Sequence, residues 1–150
     1  MSTRVRPEAG AVAFFTDDHR ACDDLWAAVE AAGEKGDGAA LSAAFATFDQ
    51  AMRRHLAMEE EVLFPAFEEK TGITMGPTRV MRMEHDQMRG LLAQMAQAAA
   101  SDPESVLDHG DTLLMLIQQH NMKEEGMLYP MCDGHLRQGW GEIAGRLARY

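Results

Sequence analysis

Two stretches of this chain constrain its fold more than any other feature. "HLAMEEEVLFP" (residues 55–65) and "HNMKEEGMLYP" (residues 120–130) carry His, two Glu, Leu, an aromatic residue and Pro in one register. Phe64 falls on Tyr129 and Pro65 on Pro130. The likeness continues upstream, where "DHRACDDLWAAVEAA" starts at Asp18 and "EHDQMRGLLAQMAQAA" at Glu84. His19 lies 36 positions before His55, and His85 lies 35 before His120. An internal repeat fixes architecture before any local reading does. The chain is two copies of one plan: a His, then a His-x-x-x-Glu, then an apolar patch and a Pro.

Each copy reads as two helices. Ala is abundant and aromatic residues make up 7% of the chain, which favours helix over sheet. Thr16 or Asp17 is suited to cap a first helix reaching about Ala32. "GEKGDG" (residues 33–38) is a loop. A second helix runs over about 39–69, bent or broken near Pro65 because an interior proline removes a donor and clashes with the preceding turn. "TGITMGP" (residues 71–77) is the next loop, with Pro77 at a first helical position. The third helix reaches about Ala100. Ser101 and Glu104 have capping-box spacing before a fourth helix that runs to Pro130. Leu136, Trp140, Ile143 and Leu147 form a short amphipathic tail. The expected fold is all-α: an antiparallel four-helix up-and-down bundle with a short extra C-terminal helix. The 150 residues suit one domain, with an N-terminal arm over 1–15, the bundle over about 16–132 and the tail helix over 135–149.

Apolar residues on a bundle helix recur at steps of three and four. That rule gives Phe15, His19, Cys22, Trp26 and Val29 on helix one. It gives Leu41, Phe45, Phe48, Met52, His55, Glu59 and Val62 on helix two. Helix three supplies Met81, His85, Met88, Leu92 and Met95. Helix four supplies Leu113, Ile117, His120, Glu124 and Met127. Every helix therefore puts a histidine on its core seam, and two add a glutamate one turn later on the same face. A single core histidine is ordinary. Two unpartnered buried carboxylates cost several kcal/mol, and a shared metal centre removes that cost.

The candidate metal ligands are His19, His55, Glu59, His85, His120 and Glu124. Six are too many for one tetrahedral zinc. They suit two ions, each held by two histidines, with both carboxylates as bridges. Imidazole with carboxylate suits iron, manganese or zinc, and no thiolate is on hand to select copper(I). Two iron ions are the expected cofactor, ahead of manganese. Ferritin-like bundles use Glu-x-x-His pairs, the reverse order. No HExxH motif marks a zinc protease.

The pattern of His19, His55-x-x-x-Glu59, His85 and His120-x-x-x-Glu124, with its "LFP" and "LYP" endings, resembles the hemerythrin-like, or HHE cation-binding, family over about residues 16–132. That resemblance implies a four-helix bundle around an oxo- or hydroxo-bridged di-iron site. Family members bind dioxygen, sense oxygen, redox state or iron, or repair iron–sulfur centres in response to nitric oxide and oxidative damage. Oxygen carriers have a fifth histidine where this chain has Met81, and an aspartate one residue beyond Glu124. With four histidines, one position per iron is left open unless water or another side chain, such as Met81 or Glu84, fills it. A more open site favours sensing or reactive chemistry over reversible carriage. The repair members often carry an extra N-terminal cysteine-bearing domain, for which this length leaves no room.

The sequence therefore reads as a binding or sensing protein rather than an enzyme, with a small diatomic ligand such as dioxygen or nitric oxide. Iron handling, iron–sulfur repair or a metal-dependent interaction module is the alternative, with the exposed side of the tail around Trp140 as the surface for a partner. A formal net charge of −10 and the lack of a basic stripe argue against nucleic acid. No apolar stretch approaches a membrane span, and two unpaired cysteines fit a cytoplasmic setting. Glu60, Glu61 and Glu125 read as solvated helix faces. Glu84, beside His85, reads as a partner that holds a ligand in place. His109 lies about 11 residues of helix from His120, roughly 16 Å, too far to share a site. His135 reads as exposed.

Overall fold

The computed structural model describes residues 3–150. Its first long helix, α1, spans Ala11–Glu34. Helix α2 spans Gly38–Met58 and passes through a π turn, Glu59–Leu63, into α3, Phe64–Thr71. Helix α4 spans Pro77–Ser101 and α5 Val106–Lys123. A second π turn, Glu124–Leu128, leads into α6, Tyr129–His135, and α7 spans Trp140–Leu147. There is no strand among the described residues. Helices α1, α2, α4 and α5 pack in chain order round a square: α1 touches α2 and α5, and α4 touches α2 and α5. Short loops make neighbours antiparallel. Among the described residues, no helix is long and apolar enough to cross a membrane.

The helix ends differ from the sequence reading in three places. Helix α1 starts at Ala11, not at Thr16 or Asp17, so residues 11–15 belong to the bundle rather than to an arm; residues 1 and 2 of that arm lie outside the described residues. Its cap comes from far along the chain: the Asp133 carboxylate accepts from the backbone N–H of Ala11 at 2.6 Å and of Val12 at 3.1 Å. The capping box at Ser101 does not form. Ser101 lies inside α4, its hydroxyl bonded to the Gln97 carbonyl. The tail helix begins at Trp140 and not 135, after a short 3-10 turn. The indole N–H of Trp140 donates to the Pro7 carbonyl at 2.8 Å.

The bend expected at Pro65 takes the form of a π turn. Phe64 N–H reaches back five residues to the Glu59 carbonyl, and Pro65, with no N–H, falls in the first turn of α3. Side chains supply the missing donors: Arg146 bonds the Glu61 carbonyl at 3.3 Å, and Arg82 lies 3.5 Å from that of Glu60. The same turn recurs before Pro130. One extra residue per turn shifts the face that follows. Met127, placed on the seam by simple periodicity, is 48% exposed, whereas Val62, at the same place in the first π turn, is buried in the cluster that holds Ile143 and Leu147 of α7. All the other seam positions are buried.

Two apolar clusters fill the bundle. One joins Phe15, Leu63, Phe64, Phe67, Met81 and Leu128 to the face of α7 that buries Ile143 and Leu147. The other runs from Cys22 and Trp26 through Phe45 and Leu92 to Ile117, toward the loop end. Gly110 lets α5 approach the indole of Trp26 here, since a Cβ would fall 2.3 Å from that ring. Histidines and glutamates lie between the two clusters, in a fully buried polar layer.

Candidate metal centre

His19, His55, His85 and His120 are at most 4% exposed, and Glu59 and Glu124 are at 0%. Their ligand atoms form two groups, each within 4.8 Å: Glu59, His85, His120 and Glu124 in one, His19, His55 and Glu124 in the other. Glu124 is common to both. Glu59 also spans the halves, with Oε1 at 3.2 Å from His55 Nε2 and 3.3 Å from His85 Nε2. All six sequence candidates thus meet in one layer.

These contacts are close but not aligned as hydrogen bonds. The Nε2 atoms of His55, His85 and His120 find no hydrogen-bond partner, nor do Glu59 Oε1 and Glu124 Oε2. Yet His120 Nε2 lies 3.1 Å from Glu124 Oε1. Ligand atoms about 2.1 Å from an octahedral ion lie roughly 3 Å from their neighbours. Buried lone pairs at that spacing, without aligned donors, fit cations shared among them. The donor set matches imidazole and carboxylate chemistry, and no thiol takes part.

Each histidine is held from behind by a carboxylate on its Nδ1. Asp18 holds His55 at 2.7 Å, Glu60 holds His85 at 2.6 Å, Glu84 holds His120 at 2.8 Å and Glu125 holds His19 at 2.7 Å. The pattern obeys the repeat. The acid preceding one half's first histidine holds that half's second, and the acid following each glutamate holds the other half's first. An Nδ1–H donated to a carboxylate fixes the ring and leaves Nε2 its lone pair. Each carboxylate meets a cation in turn: Arg4 for Asp18, Arg89 for Glu60, Lys123 for Glu84 and Arg20 for Glu125.

Here the sequence reading of Glu60 and Glu125 as solvated is corrected; Glu61 is exposed, and Glu84 has the partner role expected of it. Asp18 was passed over. The signal was available in the pairing of "DH" with "EH" and of "EE" with "EE" at repeat-related positions. Tyr129 was also passed over. Its hydroxyl is fully buried, 2.6 Å from Glu59 Oε2, 2.9 Å from Glu124 Oε1 and 3.1 Å from His19 Nε2. Met81 lies in the apolar cluster, and His109 and His135 lie outside both ligand groups.

The electrostatics follow from this layout. Burial pushes the Glu59 carboxyl up, but the His55 charge and the hydrogen bonds around it hold it well below the usual range. Burial pushes His85 down, and the nearby Glu59 carboxylate and the bond to Glu60 outweigh that, raising it to about 9. His55 is likewise raised, burial being outweighed by Glu59 and Asp18. Asp18 and Glu60 are held at about 2 against burial, by His55 and Arg4 in one case and His85 and Arg89 in the other. The charges of Glu59 and Glu60 are thus offset by protons on His55 and His85.

The carboxylates behind the histidines carry a graded prediction. Glu60→Gln removes the charge on His85 Nδ1 and the pairing with Arg89. Metal retention in a chelator-competition titration is expected to weaken about 10- to 100-fold. Glu61→Gln, one residue on, is expected to change nothing, and equal effects would remove Glu60 from the site.

The family model described as the hemerythrin HHE cation binding domain matches residues 10–132. No match is found among curated proteins or among solved structures.

Proposed function

Because the chain belongs to the hemerythrin HHE cation-binding domain family, we propose that it holds two iron ions in this layer and uses them to bind or sense dioxygen or nitric oxide. His19 and His55 would hold one ion and His85 and His120 the other, with Glu59 and Glu124 reaching toward both. The observation that carries the reading is the set of orphaned Nε2 and carboxylate atoms converging in a buried layer. When bound, reduced iron would supply electrons to a small oxidant. The chain's own part is to orient and to exclude. Asp18, Glu60, Glu84 and Glu125 hold the imidazoles in one tautomer, and the two apolar clusters keep bulk water out.

The space beside the layer limits what can enter. A cavity bordered by His19, Cys22, Trp26, Met52, His55 and Ile117 has a volume of about 10 Å³. That is about the least space that holds one water molecule. Cys22 on its wall stays a thiol, because burial pushes it up to about 11. Met81 belongs to the apolar cluster, so no fifth imidazole closes the site. These features support a sensing or reactive role over carriage, in a reducing compartment where both cysteines stay free.

Optical spectra of iron-loaded, anaerobically reduced protein test this. Air is expected to oxidise it quickly, with no return when oxygen is removed, and nitric oxide is expected to bind the reduced form. A spectrum that reverses on deoxygenation would restore the carrier reading. No response to either gas would end the proposal.

A further inference from the structure

The inference concerns Tyr129, and it rests on the metal reading above. The two halves of the chain set an aromatic ring in the same place. Phe64 stacks on His85 with ring centres 5.5 Å apart and planes at 28°. Tyr129 lies on His19 at 5.6 Å and 32°. Each ring follows a π turn and precedes a proline. The fold sets the ring position in both halves, and the hydroxyl is what distinguishes them.

That hydroxyl lies among ligand atoms. Its distances of 3.1 Å to His19 Nε2 and 2.9 Å to Glu124 Oε1 match the 3.1 Å between those two atoms themselves. Adjacent ligands about 2.1 Å from one octahedral ion lie roughly 3 Å apart. A phenol placed only to cap a buried carboxylate needs one such contact, and Tyr129 has three, the third being Glu59 Oε2 at 2.6 Å. Phe64 offers nothing equivalent to the other ion.

We propose that Tyr129 is a ligand of the ion held by His19 and His55, binding through its phenolate oxygen when that ion is ferric. The phenol proton passes to solvent as the ion binds, the exchange any protonated ligand makes under a cation's charge. The two ions then differ: one carries a phenolate, and the other, beside Phe64, is one ligand poorer.

The test uses the full chain loaded with iron and oxidised, its iron content measured first. A phenolate-to-iron charge-transfer band in the visible is expected, with resonance-enhanced tyrosine ring vibrations. Growth on ring-deuterated tyrosine should shift those vibrations. The chain has two tyrosines, and the other, Tyr150, is exposed at the C-terminus and bonded to Glu61. Tyr150→Phe should keep the band. Tyr129→Phe, which copies the residue already present in the other half, should abolish it while iron is retained. Iron-bound oxidised protein without tyrosinate vibrations would overturn the proposal, even if Tyr129→Phe does not fold. So would a band that survives in Tyr129→Phe. Protein that holds no iron at all would overturn the metal reading as well, and the iron measurement separates the two failures.

Discussion

Replacing Glu124 by glutamine is expected to cut bound iron from about two ions per chain to well under one, the largest effect of any single change in the layer. Glu124 belongs to both ligand groups. Its Oε1 lies 3.1 Å from both His19 Nε2 and His120 Nε2, which sit in opposite halves of the bundle. Glutamine keeps the size and one oxygen, but it removes the negative charge and puts an N–H donor where a second lone pair faced the ions. Neither ion keeps its full set. Glu59→Gln should follow closely, since Glu59 also spans the halves, and it should exceed Glu60→Gln, which acts through His85 alone. Elemental analysis of desalted protein, with Glu61→Gln as the control, measures this. A Glu124→Gln protein that keeps both ions would remove the carboxylate from the centre.

Stripping the metal should destabilise the protein by an amount that grows with pH. Without cations, the buried charge of Glu59 is offset by protons on His55 and His85. His85 is raised to about 9 in the folded chain, from an ordinary imidazole value near 6.5. Its contribution is fully present below about pH 6.5 and is lost as pH rises through about 9. Asp18 and Glu60, held at about 2, work the other way. Their contribution is present above the usual carboxylate range and is lost as pH falls through about 2. The stripped protein should therefore be most stable around pH 5 to 6.5 and weaken steadily toward pH 9. The loaded protein should not weaken on that alkaline side, because ions replace the protons and bind better as imidazoles lose them. A loss of a few kcal/mol corresponds to roughly 10 °C in a chain of this size, so melting temperatures should diverge by about that much at pH 9. Scanning calorimetry at several pH values measures the gap. Curves that run parallel from pH 6 to 9 would mean that histidine protons do not substitute for metal in this layer.

The helical order and the six candidate ligands were legible in the sequence for one reason. Both depend on which face of its own helix a residue occupies, and steps of three and four report that directly. His55 with Glu59 and His120 with Glu124 needed nothing beyond their spacing. The repeat then placed the two pairs at one level of the bundle. Even the proline bends were visible as interruptions, though not their form.

What the tertiary structure decided is everything that crosses between helices. Periodicity says that Asp18 and Glu60 flank the seam and is silent on what stands opposite. Only the packing of α1 on α2 brings Asp18 to His55, and only the placing of the first π turn beside α4 brings Glu60 to His85. The cap of α1 lies on Asp133, 122 residues away, so Thr16 and Asp17 lost to a partner no local rule could propose. Val62 is buried with Ile143 and Leu147 of α7, which packs on the first π turn, while its counterpart Met127 is exposed, a difference that periodicity does not report. Tyr129 read as the aromatic of a repeated patch. Its hydroxyl became part of the centre only when the bundle closed it against Glu59, Glu124 and His19. Sequence determined the faces; contact across the bundle determined the charges behind each ligand, because those interactions depend on distance in space and not along the chain.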